Sequence, residues 1–201
     1  MDVRTVANTD AEAVVSTLAE AFYHYPVMRY VLADEVADFD TAFEELIRLF
    51  VMSRVICDDL LLGIGEGPQL RAAAAVSLPR GSDPPAELAE YRQVVWSRFP
   101  PAAKQRYDDF CAACARFDIP QVHHHLNMIG TRTAHQGEGL GRRLIEHVQA
   151  LAADHPYSTG VSLSTENPAN VPFYQNLGFE LTGHAAVGPG LETWNFFRPN
   201  P

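Results

Sequence analysis

His123-His124-His125-Leu126-Asn127-Met128-Ile129-Gly130-Thr131-Arg132-Thr133-Ala134-His135-Gln136-Gly137-Glu138-Gly139-Leu140-Gly141-Arg142-Arg143-Leu144 decides the reading of this chain. It begins with the alternation of a strand and ends with the spacing of a helix. Between the two lies Gln136–Gly141, with glycine at every second position. Such a segment turns tightly and admits a ligand close to the backbone. The first turn of the following helix has unpaired N–H groups and a partial positive charge. A glycine loop feeding a helix N-terminus is a cradle for an anion, most often a phosphate.

Two familiar phosphate loops do not fit. No Gly-Lys-Ser or Gly-Lys-Thr follows the glycines, and a dinucleotide fingerprint needs glycine where Arg142 stands. Composition narrows the rest. The 201 residues suit one domain, 1–201, with a modest insertion. Hydrophobic residues make up 47% and charged residues 20%, which are globular values. A net charge of −10 argues against a broad nucleic-acid surface, and no apolar run is long enough for a membrane helix. The N-terminal residues lack the basic flank and apolar core of a signal peptide, so a cytoplasmic protein is expected. Three cysteines, Cys57, Cys111 and Cys114, do not make a disulfide framework. The last two are read as half-buried helix residues.

Outward from the glycine loop, the pattern predicts an α/β chain with a mixed sheet. A first strand at Val3–Ala7 precedes a helix over Ala11–Phe22. The aromatic run Tyr23-His24-Tyr25-Pro26 with Arg29 and Tyr30 bends at Tyr25, because proline disfavours helix in the residue before it. An acidic linker, Asp34–Asp40, leads to a helix at Phe39–Ile56. Leu60–Gly65 and Gln69–Leu78 read as an antiparallel pair, and Pro79–Pro85 as a break. Two helices, Pro84–Phe99 and Pro101–Phe117, form an insertion at about 84–118. The central strand Gln121–Thr131, the helix Leu140–Ala153, a strand Thr159–Thr165 and a short helix Pro168–Leu177 follow. Gly178 stops that helix. Phe179–Val187 and Glu192–Phe197 close the chain as strands.

A second constellation follows the strand ending at Thr165: Asn167-Pro168-Ala169-Asn170-Val171-Pro172-Phe173-Tyr174-Gln175-Asn176-Leu177-Gly178-Phe179. Asn167, Tyr174, Gly178 and Phe179, with Gln136, Gly139 and Gly141 upstream, resemble the paired motifs of the GNAT N-acetyltransferases. Three stretches are similar to the puromycin N-acetyltransferase-like branch: Ala21–Pro26 with Arg29, His135–Gly141, and Asn170–Tyr174 with Leu177–Phe179. The closing Thr193-Trp194 is similar too.

The resemblance implies a GNAT fold, a mostly antiparallel twisted sheet of about seven strands flanked by helices, with the two-helix insertion before the central strand. It implies acetyl-CoA as donor and direct attack by a primary amine, here expected to be a small molecule. The donor would be held by Gln136, Gly137, Glu138, Gly139, Leu140, Gly141 and Arg142, by the strand edge Ile129, Gly130 and Thr131, and by Asn167, Asn170 and Tyr174. Tyr174 would protonate the leaving sulfur, since a phenol placed there stabilises developing thiolate charge. Tyr23, Tyr25, Arg29, Tyr30, His125 and Asn127 are the candidate acceptor residues. The base is open among His123, His125, Glu166 and water. Related chains carry Leu-Glu-Thr where this one has Leu163-Ser164-Thr165. His123 and His125 lack a third ligand, so no metal is expected. Neither nucleic acid nor membrane is an expected partner, and a monomer or homodimer is expected. A CoA-binding sensor without catalysis and a protein or peptide acetyltransferase are the alternatives.

Overall fold

The structure is a computed structural model that describes residues 2–33, 36–80 and 83–201. Met1, Asp34 and Glu35 of the expected acidic linker, and Gly81 and Ser82 of the expected break, lie outside the described residues. Seven strands form one sheet in the order β1-β2-β3-β4-β5-β7-β6. They are β1 (Arg4–Thr5), β2 (Leu60–Glu66), β3 (Gln69–Ser77), β4 (His124–Thr131), β5 (Gly160–Thr165), β6 (Glu180–Gly188) and β7 (Leu191–Pro199). All neighbours are antiparallel except β4 and β5. That parallel pair is joined by the helix α6 defined below, as a crossover requires.

The helices are α1 (Ala11–Phe22), α2 (Pro26–Leu32), α3 (Phe39–Ile56), α4 (Ala86–Trp96), α5 (Pro101–Ala115), α6 (Leu140–Asp154) and α7 (Val171–Gln175). None among the described residues is long and apolar enough to cross a membrane. The bend at Tyr25 is present, with ψ at 134°, but a helix not foreseen from the sequence starts at once: Pro26 takes its first position, where no N–H is needed. The expected 168–177 helix is a 3₁₀ turn (Pro168–Asn170) followed by α7. The insertion helices end earlier than expected, at Trp96 and Ala115.

The sheet has an apolar core on each face. Ala73, Ala75 and Met128 face α1 and α3, whereas Ala72, Ala74, Val76, Leu126, Val161 and Leu163 face α6. The alanine run of β3 is thus buried on both sides, which explains why it is a strand despite its helix propensity. α6 has an apolar stripe, Leu140, Leu144, Ile145, Val148 and Ala152, against that second core.

Two irregularities shape the middle of the sheet. Ala75 pairs with Met128 and Val76 with Leu126, so Asn127 is the extra residue of a β-bulge. The bulge reverses the facing of β4, placing Leu126 and Met128, two residues apart, in opposite cores. Beside it, β4 and β5 pair only at His124–Val161, His125–Ser162 and Leu126–Leu163 and then part. From Asn127 onward the β4 edge toward β5 has no strand partner, and a fork opens there.

Candidate active site

One arm of the fork leads to the glycine loop. Gly137 and Gly139 have φ of 83° and 76°, the left-handed conformation that glycine adopts without penalty. A Cβ added at Gly137, Gly139 or Gly141 would meet nothing within 4 Å, so the loop is an open concavity. α6 starts directly after Gly139, and its first-turn amides face that concavity with no partner inside the helix. Glu138 does not put its carboxylate there: His135 lies at 3.0 Å and Arg71 at 3.9 Å from its oxygens. Gln136 donates to the Thr131 carbonyl at 3.4 Å. The Leu140 side chain is core, only 6% exposed, which leaves its backbone N–H for a ligand. Arg142 is exposed, 3.8 Å from Glu146. Gly130 is glycine for a different reason, since a Cβ would stand 2.5 Å from that of Ala21 on α1. Its backbone, with those of Ile129 and Thr131, belongs to the unpaired β4 edge.

The other arm opens into a cavity of ≈ 380 Å³ between the sheet, α2, α3 and α5. Glu166 faces it from the end of β5, 6% exposed. Thr193 on β7 donates to Glu166 Oε1 at 2.9 Å. Burial pushes the Glu166 carboxyl up to about 7, against hydrogen bonds from Thr193, Ser164 and Tyr25 that favour the anion. Tyr25 comes from the α1–α2 elbow. Its hydroxyl accepts from the Glu166 backbone N–H at 3.1 Å and lies 2.8 Å from Thr165 Oγ1. Asn170 donates to the same Thr165 oxygen at 3.2 Å. Asn167 caps the 3₁₀ turn, accepting from the Ala169 N–H at 3.1 Å.

Tyr174 lines the cavity at 6% exposure, its ring against Phe179 and Phe196. Burial first and the nearby Glu166 charge second raise its phenol above the ordinary tyrosine value. The phenol therefore holds its proton, and no described residue hydrogen-bonds its hydroxyl. Asn195 on β7 lines the cavity at 8% exposure, and its Nδ2 is buried without a partner. An unpaired buried amide costs about 1–3 kcal/mol, which a ligand oxygen would offset.

His125 and Asn127 also line the cavity. His125 Nδ1 is 2.7 Å from Ser162 Oγ. Burial, with His123 and Arg54 adding repulsion, pushes its imidazole down to about 4. Asn127 Oδ1 accepts from Ser77 at 2.9 Å and Arg54 at 3.3 Å. His123 precedes β4, within 2.6 Å of the Gln121 carbonyl, and does not line the cavity.

The aromatic elbow divides. Tyr23 hydrogen-bonds Asp40 at 2.5 Å, and Arg29 lies 4.7 Å over the Tyr23 ring and 4.0 Å over Phe39. Tyr30 packs beside Gly188. Tyr23 and Arg29 thus form an outer cluster and Tyr30 packs apart from them; none of the three lines the cavity, against the expectation that the whole segment walls it. Tyr25 alone of the four candidates from this elbow reaches in, while α2 lines the cavity through Val27, Met28 and Val31. The sequence reading missed Ser164, Thr193, Asn195, Arg54 and Arg92. Thr193 and Asn195 had a signal in the polar alternation of an otherwise apolar closing strand; the arginines had none. Cys111 and Cys114 sit on the cavity wall, but burial pushes the Cys114 thiol up to about 12, unsuited to a nucleophile.

Comparison with known proteins agrees with this geometry. Residues 103–181 match the family described as Acetyltransferase (GNAT) domain. A 5-NmdU N-acetyltransferase of Pseudomonas phage PaMx11 is 32% identical over 78 residues, 39% of this chain and 54% of that protein. The chain thus spans about half the length of that curated relative. A Corynebacterium glutamicum structure described as histone acetyltransferase HPA2 and related acetyltransferase superposes with a TM-score of 0.72 at 19% identity, covering 100% of this chain and 96% of that one. The Drosophila melanogaster polyamine N-acetyltransferase, which forms N-acetylagmatine, superposes at 0.67 with 19% identity over 97% of each chain. Residues 103–181 thus carry the GNAT domain match, and the whole chain shares the fold of these acetyltransferase structures.

Proposed function

We propose that the protein transfers the acetyl group of acetyl-CoA to a primary amine of a small molecule, with donor and acceptor held together in the β4–β5 fork. The observation that carries this reading is the convergence of Glu166 and Tyr174 on one cavity beside the fork, with an open glycine cradle farther along β4. The chain shares its whole fold with acetyltransferase structures and residues 103–181 match the GNAT domain, and its three branch-like stretches support a place in the puromycin N-acetyltransferase-like group.

The residues fit the donor. The first-turn amides of α6 and the loop of Gln136–Gly141 suit its pyrophosphate, and the unpaired β4 edge suits its amide-bearing arm. Acetyl-CoA supplies the acetyl group as a thioester; the amine forms the new C–N bond as the C–S bond breaks. Holding both partners at once supplies much of the rate. Glu166 takes the proton lost by the nitrogen. Its value of about 7 makes it roughly a thousandfold stronger as a base than His125 at about 4. Tyr174 gives its proton to the departing sulfur and regains one from solvent, so charge and atoms balance. Asn195 offers its free Nδ2 to an oxygen in the cavity. α2 and α5 wall the acceptor side, which favours a small amine over a protein chain.

The test is CoA release with mass spectrometry of products across a broad amine panel. A singly acetylated amine upholds the reading. Acetyl-CoA binding without acetylation of any amine overturns it and leaves a CoA-binding sensor.

A further inference from the structure

The acceptor cavity has two poles. At one end Glu166 is joined by Asp118, exposed just past the end of α5. At the other stand Arg54 and Arg92. The Arg54 side chain is 12% exposed. Its Nη1 donates to Ser77 and Asn127, and its Nε lies 3.5 Å from Asp59. No described residue accepts from its Nη2. Asp59 is shared, because Arg80 also pairs with it at 2.9 Å. Arg92 has no acidic partner among the described residues, and it is close enough to Arg54 to disfavour a second charge. One carboxylate therefore serves two guanidinium groups, Arg54 and Arg80, and Arg92 stands beside them without one, in a chain whose net charge is −10. Arg54 is buried and Arg92 is exposed at the cavity's edge, and two guanidinium groups on one cavity wall suit an anion.

α5 runs along the cavity between the two ends. Tyr107 feels the charges of Arg92 and Arg54, while Cys114 feels Glu166 and lies 3.5 Å from Thr193. Seven residues of helix separate the two, roughly 10 Å. Phe50, Tyr107 and Phe110 wall the space between, Phe50 stacking on Tyr107 at 5.5 Å.

Resting on the acetyl-transfer reading, we propose that the acceptor is an amino acid in the broad sense: a primary amine at the Glu166 end, an aromatic or apolar middle, and a carboxylate at the Arg54–Arg92 end. A planar guanidinium pairs with a carboxylate through two parallel hydrogen bonds. The same pole repels diamines and polyamines.

The experiment compares 4-(aminomethyl)benzoate with its methyl ester, which keeps the amine and ring and removes the charge. The acid is expected to exceed the ester in kcat/KM by about tenfold to a hundredfold, the range of a hydrogen bond to a charged group. That ratio falls to within about twofold in Arg92→Gln and is kept in Arg92→Lys. An ester turned over as well as the acid overturns the inference while acetyl transfer stands; so does a ratio that survives both Arg92→Gln and Arg54→Gln, each checked for native circular dichroism. If acetyl-CoA binds and neither compound is acetylated, the transfer reading fails for this class. Calorimetry on the CoA complex still decides the anionic pole: tighter binding of the acid upholds it, and equal affinity overturns it.

Discussion

Thr193 Oγ1 donates to Glu166 Oε1 across 2.9 Å, and both side chains are buried. The bond orients one carboxylate oxygen. It also opposes the burial that raises the carboxyl to about 7. A base so placed is half ionised near neutrality. kcat/KM should therefore rise with pH through about 7 and level off above it. Glu166→Gln keeps the shape and the Thr193 contact but accepts no proton. We expect a loss of about 10²–10⁴-fold, the range for a general base, and a flat profile between pH 6 and 8. Steady-state kinetics over that range decide the matter; a variant that keeps the rising limb assigns the base elsewhere.

The same carboxyl marks the stability of the fold. Its folded value is raised above the ordinary 4.5, so between these values the folded chain binds more protons than the unfolded one. Stability contributed by this group therefore falls as pH rises from about 4.5 to 7. Glu166→Gln should unfold at higher temperature than wild type at pH 8, with an advantage on the order of 2–3 kcal/mol at most, vanishing near pH 4. His125 has the opposite sign. Its folded value of about 4 lies below 6.5, so its contribution is lost as pH falls through that window. Melting curves of Glu166→Gln and wild type at pH 5, 7 and 8 check the first claim. A constant difference across the three contradicts it.

Much of this was legible in the chain. Element order and the glycine loop rest on local rules, periodicity, positive-φ glycines and helix starts, whereas Tyr174 was singled out by the resemblance of its motif. The His125–Asn127 pairing on one face was also readable by alternation. The reversal beyond it was not, because a bulge is set by the pairing of Ala75 with Met128 and Val76 with Leu126 on a distant strand. Tyr23 and Arg29 were misplaced for a similar reason. Their partners Phe39 and Asp40 come from the next helix, and one turn begun at Pro26 decides which aromatics face inward. Glu166 was visible only as one candidate among four. Its burial depends on Thr193 and Tyr25, 27 and 141 residues away.

Gly141 separates stability from ligand affinity. It lies in the first turn of α6, has no positive φ, and would meet nothing if given a Cβ. Gly141→Ala should raise stability by about 0.5–1 kcal/mol through helix propensity. It should also weaken acetyl-CoA, since the methyl group occupies the concavity in front of the first-turn amides. A Kd raised about tenfold by calorimetry, with an unchanged or higher melting temperature, is the expected pair of results. Gly130→Ala is the contrast: its Cβ meets Ala21, and overpacking of this kind costs about 1–3 kcal/mol. If Gly141→Ala binds acetyl-CoA as wild type does, the cradle lies elsewhere.

Two of the cavity's tyrosines, Tyr25 and Tyr174, should respond in opposite ways. Tyr25 is held by Thr165 and the Glu166 backbone, so Tyr25→Phe removes hydrogen bonds worth about 1 kcal/mol of stability and loosens the base. Tyr174 has a ring packed on Phe179 and Phe196 but a hydroxyl with no described partner. Tyr174→Phe should leave the melting temperature within about a degree, because no folded-state bond is lost. Acetyl-CoA should bind within about twofold of wild type. kcat should fall by about 10- to 1,000-fold, since a proton donor matters only as charge develops on the sulfur. The raised phenol keeps its proton well above neutrality, so Tyr174 adds no falling limb to the profile below about pH 9. Melting, calorimetry and steady-state kinetics on the two variants give the comparison. Equal kcat in Tyr174→Phe and wild type would remove Tyr174 from the chemistry and leave the sulfur to be protonated by water.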